Sequence, residues 1–164
     1  MSSARLSTVV LDAYDAHELA GFYMRLLGYE VRADEPDWVL IGPPPGAPGT
    51  ALAFETEPGY VPPVWPTRRR EEQQMMLHLD IEVDDLEAET GRAVAEGARL
   101  ADHQPQDDVR VLLDPSGHPF CLWVETPAQG SGLSRRAPGP RPPAPPARTP
   151  APRRSVRLPG RPSR

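Results

Sequence analysis

The sequence predicts an α+β protein built from two βαβββ units, and three observations carry that prediction. The stretch Leu77–Val83 alternates strictly, with Leu77, Leu79, Ile81 and Val83 on one face of a strand and His78, Asp80 and Glu82 on the other. Seventy residues upstream the pattern recurs, Thr8-Val9-Val10-Leu11-Asp12 aligning with His78-Leu79-Asp80-Ile81-Glu82. Each copy runs into an acid-capped helix that ends in glycine, Gly28 or Gly97, and then into short strands.

The elements follow in order from local chemistry. Ser7–Ala13 alternates as a strand. Asp15 through Glu18 forms a capping box, and Leu19, Phe22, Tyr23 and Leu26 then share one helix face. Short strands are expected around Tyr29–Ala33 and Asp37–Ile41, then a Pro/Gly loop, then Ala51–Thr56 with Leu52 and Phe54 opposite Ala53 and Glu55. Glu57–Gln74 is a long irregular connection, and a loop of that length inside a compact domain tends to be functional. Beyond the alternating strand, Asp84-Asp85 caps a helix from Leu86 to Glu96. Strands follow near Arg99–Ala101, Val109–Leu113 and Phe120–Glu125, the last two joined by Asp114-Pro115-Ser116-Gly117, a type I turn sequence.

Hydrophobic residues form 38% of the 164-residue chain, less than a globular domain usually holds. The shortfall sits in Gln129–Arg164, which has ten of the 23 prolines, nine of the 18 basic residues and no acid. That segment carries +9 and Met1–Ala128 carries −14. The expectation is therefore one domain over 1–128, with modules near 6–57 and 76–126, followed by a disordered Pro/Arg-rich tail over 129–164. Cys121 is the single cysteine, which excludes an intrachain disulfide and fits a reducing compartment. Neither a signal core nor a membrane-length apolar run is present, so the expected location is cytoplasmic.

Ala20-Gly21-Phe22-Tyr23 with Leu27-Gly28, His78-Leu79-Asp80 with Asp84-Asp85-Leu86, and the run from Asp114 to Cys121 together resemble the vicinal oxygen chelate superfamily. That superfamily includes glyoxalases, extradiol dioxygenases and bleomycin and fosfomycin resistance proteins. The chain looks closest to its glyoxalase-like domain branch, whose members often show a similar Trp-Pro loop before His-Leu-Asp. The resemblance covers residues 6–126 and leaves the tail outside. It implies paired modules curled into a cup-shaped mixed sheet, with helices on the outer face and a small molecule held inside. Metal-using members place ligands at positions that fall here on Thr8, Glu55, His78 and Cys121. Only His78 and Glu55 match the usual His/Glu set. The reading therefore assigns no resident cofactor, and keeps His78, Glu55 and Cys121 as the residues that would hold a divalent metal.

Within that cup, His78 and Asp80 are the expected catalytic pair, a proton shuttle and the group that orients it. The competing reading is a solvated sheet face. Thr8, Asp12, Glu55, Trp65, Cys121 and Trp123 are expected around the ligand, the acids favouring a cationic or polyhydroxyl molecule and the tryptophans giving an apolar wall. Against this, Asp12 can bond to backbone or Arg, a Trp between prolines can be a loop anchor, and Cys121 can be a small buried side chain. His118 is expected near the cup rim; His17 and His103 are expected exposed and idle. Two function classes stay open: a non-catalytic small-molecule binder, and a metal-dependent lyase, isomerase or dioxygenase acting on a small metabolite. A homodimer is compatible with the reading, membrane association is not, and the tail is a candidate for contact with nucleic acid or an acidic surface.

Overall fold

The computed structural model describes residues 4–125, so the expected tail lies outside the described residues. Two runs of five elements follow one another in the same order. The first is β1 (Thr8–Ala13), α1 (Ala16–Leu27), β2 (Glu30–Glu35), β3 (Trp38–Gly42) and β4 (Ala51–Thr56). The second is β5 (Leu79–Glu82), α2 (Leu86–Ala95), β6 (Arg99–Leu100), β7 (Val109–Leu113) and β8 (Pro119–Trp123). Each run forms a four-stranded mixed sheet, ordered β1-β4-β3-β2 and β5-β8-β7-β6. In both, the first and last strands pair in parallel and the others antiparallel. The expected α+β architecture of paired βαβββ modules is what the chain adopts.

α1 forms where its sequence says it should. Asp15 accepts hydrogen bonds from the backbone N–H groups of His17 and Glu18, and Gly28 at φ 66° closes the last turn. Its buried face, Leu19, Phe22, Tyr23 and Leu26, packs on Val39 and Ile41 of β3 and Leu52 and Phe54 of β4. The same face also reaches the second sheet. The Phe22 ring meets Phe120 edge-on at 5.9 Å between centroids, and Tyr23 meets it at 6.2 Å. One core therefore serves both modules.

Three details refine the expectation. The alternating strand is shorter than Leu77–Val83, because pairing with β8 begins at Leu79 opposite Phe120. Leu77 consequently stays exposed while Leu79, Ile81 and Val83 pack against the core. α2 is a thin counterpart of α1, with Ala93 its one buried residue, since Leu86-Glu87-Ala88-Glu89-Thr90-Gly91 offers little apolar bulk. It is held by polar contacts instead: Arg92 donates to the carbonyl oxygens of Arg25 and Leu26 at 3.1 and 2.9 Å, and to Glu89. Those carbonyls end α1 and lack partners within it, so a guanidinium from the second module caps the helix of the first. Finally, His17 and His103 are exposed, as expected, and each has a neighbour. His17 Nε2 lies 2.8 Å from Asp34 Oδ1, and the His103 ring lies 5.5 Å from that of Trp65.

Candidate functional site

Strand parity sorts the polar residues of the two parallel strand pairs away from the core. On β1, Leu11 and Ala13 are buried, whereas Val10 and Asp12 are exposed on the opposite face. On β8, Phe120 and Leu122 are buried and Cys121 and Trp123 face the other way, half-exposed. Register then decides which polar residues meet. Asp80 stands beside Cys121 and Glu82 beside Trp123, while Asp12 stands beside Glu55 and Thr8 beside Ala51.

His78 lies just before β5 and is where two arrangements join. In the first, His78 Nε2 is 3.3 Å from Asp80 Oδ1. The donor atoms of His78, Asp80 and Cys121 all fall within 4.8 Å of one another. Imidazole, carboxylate and thiolate at this spacing suit a borderline cation such as zinc, which takes nitrogen, oxygen and sulfur donors. Two of the three residues drawn from the resemblance, His78 and Cys121, are in that trio, where Asp80 and not Glu55 stands with them.

In the second arrangement, His78 lines a cavity of about 200 Å³ between β1, the start of β5 and the long connection. Val10, Val61, Met75 and Leu77 supply apolar wall; Asp12, Tyr60 and His118 supply polar groups. Of the residues expected around a ligand, His78 and Asp12 line this space. Thr8, Glu55, Asp80, Cys121 and Trp123 share its face of the sheets without lining it, and Trp65 is turned to His103 beyond a cis Trp65–Pro66 bond. A second hollow of about 320 Å³ lies by the helices, where Arg92 and Glu89 already bond to each other.

A buried network at the cavity went unnoticed in the sequence. Asp114 is fully buried and accepts from the backbone N–H groups of Ser116 and His118 at 2.9 Å and from the Tyr23 hydroxyl at 3.0 Å. His118 Nδ1 lies 2.9 Å from the same carboxylate, and His118 Nε2 lies 3.0 Å from the Tyr60 hydroxyl. Burial, reinforced by the Asp114 charge, pushes the Tyr23 phenol well above its usual range. Burial raises Tyr60 too, with Asp114, Tyr14 and Asp12 adding to it. The available signal was the Asp-x-x-x-His spacing across a tight turn, which returns the imidazole onto the turn's own carboxylate; Tyr60, from a distant loop, left none.

Comparison with known proteins places this geometry. The model of the glyoxalase-like domain matches residues 8–123, and the chain belongs to that family, within the vicinal oxygen chelate superfamily. Its fold matches a glyoxalase/bleomycin resistance protein/dioxygenase family enzyme from Burkholderia phytofirmans with a TM-score of 0.55 at 18% identity, over 74% of this chain and 98% of that one. It also matches an antibiotic binding protein from a Streptomyces species, with a TM-score of 0.51 at 20% identity, over 77% and 99% of the two chains. Glyoxalase I from Leishmania major aligns with a TM-score of 0.54 at 20% identity, over 75% and 88%. No curated protein sequence matches the chain. Among the described residues no helix is long and apolar enough to cross a membrane.

Proposed function

We propose that the protein binds a small molecule in the cavity between β1, β5 and the 57–78 connection. The observation that carries this reading is the cavity's make-up. Apolar side chains form its walls while Asp12, Tyr60, His78 and His118 converge on it, the usual composition of a small-molecule site. The Streptomyces structural neighbour is itself an antibiotic binding protein, which gives the reading a precedent on the same fold. The reading is of a small molecule as a class, since one fold hosts many ligands. It is tested by NMR with a fragment library spanning cationic, neutral and anionic compounds. Binding should shift the Met75 methyl and the His78 and His118 ring signals together. Fragments that bind only elsewhere, leaving those signals unmoved, would refute it.

A second reading, metal-dependent lyase, isomerase or dioxygenase chemistry, is favoured by the His78–Asp80–Cys121 trio. A metal held there would polarise a ligand oxygen and lower the cost of charge developing on it. In this chain His78 would then act as a ligand, leaving proton handling to other cavity residues. Cobalt(II) titration separates the two. A thiolate-to-cobalt absorbance lost in Cys121→Ser supports the metal reading, and its absence leaves the binder.

A further inference from the structure

We propose that Asp114, His118 and Tyr60 form a proton relay by which the cavity takes the proton of an acidic hydroxyl compound, a phenol or an enol, and holds that compound as its anion. This rests on the cavity being a ligand site, and it assigns acid–base work to His118 rather than His78.

Asp114 receives two backbone N–H groups on Oδ1 and faces the Tyr23 hydroxyl and His118 Nδ1 on Oδ2. An ionised carboxylate only accepts, so His118 carries its proton on Nδ1 when the ring is neutral, and its Nε2 is a bare acceptor. The Tyr60 hydroxyl lies 3.0 Å from that nitrogen and also 2.9 Å from the Ser116 carbonyl oxygen. Tyr60 has one proton for two acceptors. With His118 neutral, the Tyr60 proton can serve only one of them at a time. With a proton on Nε2, His118 becomes the donor to Tyr60, and the tyrosine proton is released to serve Ser116 or a molecule in the cavity. Adding one proton thus turns Nε2 into a donor and frees the Tyr60 proton, with no heavy atom displaced.

A ligand hydroxyl can supply that proton. Its O–H bond breaks and the proton joins Tyr60 Oη, while the proton Tyr60 held passes to His118 Nε2. Tyr60 ends as a phenol, with its new proton directed at the ligand oxyanion. The ligand's negative charge is balanced by an imidazolium seated on Asp114. Burial keeps Tyr60 protonated, so it conducts a proton without becoming a standing phenolate. The Tyr14 ring lies nearly perpendicular to that of Tyr60, with 4.9 Å between centroids, and Asp12 and His78 line the same cavity. Asp12 opposes an anion there, and its neutralisation should strengthen the effect.

The probe is 4-nitrophenol, added to the full-length protein at a pH below the probe's own ionisation, with 4-nitroanisole as the non-ionisable partner. Bound 4-nitrophenol should show its yellow phenolate absorbance. The ratio of phenolate to phenol should rise about tenfold for each unit by which binding lowers its pKa. His118→Gln should abolish the phenolate band, Tyr60→Phe should weaken it, and Asp12→Asn should enlarge it. If His118→Gln fails to fold, the Tyr60→Phe and Asp12→Asn responses decide. Binding with an unchanged phenol spectrum, or a band that persists in Tyr60→Phe at full strength, overturns the relay. If 4-nitroanisole or library fragments shift the cavity signals and 4-nitrophenol does not bind, the relay falls and the cavity reading stands. If nothing reaches the cavity, both fall.

Discussion

Replacing Tyr23 by phenylalanine isolates one buried hydrogen bond with little change in packing. The ring keeps its contacts with Phe22, Phe54 and Phe120, at centroid distances of 5.0, 5.5 and 6.2 Å. What disappears is the hydroxyl that donates to Asp114 at 3.0 Å, between two fully buried side chains. A hydrogen bond to a charged group is worth roughly 1.5–3 kcal/mol. With an unfolding entropy of roughly 0.25 kcal/mol/K for a domain of this size, the melting temperature should fall by about 6–12 °C. A second signature follows from ionisation. Folding raises the Tyr23 pKa, so its contribution is complete below the unfolded value of about 10 and is lost as pH rises from there toward the folded value. Over that interval each such group removes about 1.4 kcal/mol per pH unit. Tyr23→Phe should therefore be less stable near neutrality, yet show a shallower alkaline decline by one proton. Urea melts at a series of pH values measure both. A loss below about 0.5 kcal/mol at neutral pH, or an unchanged alkaline slope, would refute the reasoning.

Three further outcomes are expected. Arg92→Ala removes the guanidinium that caps α1 across the module boundary and should cost about 1–2 kcal/mol in urea unfolding, whereas Arg92→Lys should recover only part of it. Phe120→Ala should cost about 3–5 kcal/mol, because its fully buried ring joins α1 to the second sheet; a loss of unfolding free energy under half that size in a denaturant melt would contradict a shared core. Gly117→Ala should destabilise by about 1–3 kcal/mol, since φ is 92° there and the added carbon would stand 3.0 Å from Pro62. Thermal denaturation of the purified variant checks it.

The architecture was legible because period-two alternation and helix capping are local signals. Asp15 and Asp85 accept the N–H groups their positions promise, and the seventy-residue repeat becomes two sheets of the same order. Register across parallel strands was less visible. That Asp80 sits beside Cys121 depends on a long-range pairing no local pattern encodes. The cavity wall was hidden for the same reason, since Tyr60 and Met75 come from an irregular connection with no periodicity to read. α2 marks the opposite limit: its acidic cap announces a helix, yet its sparse apolar content gives no hint that an arginine would anchor it.

Tyr23 meets its carboxylate partner ninety-one positions further along the chain, and that span bears on how the protein is assembled. When the ribosome has released only the first repeat, the aromatic face of α1 has no Phe120 to cover it. The early half is a sticky intermediate until the second repeat emerges. Closure across the 57–78 connection is thus the step that covers the aromatic face of α1.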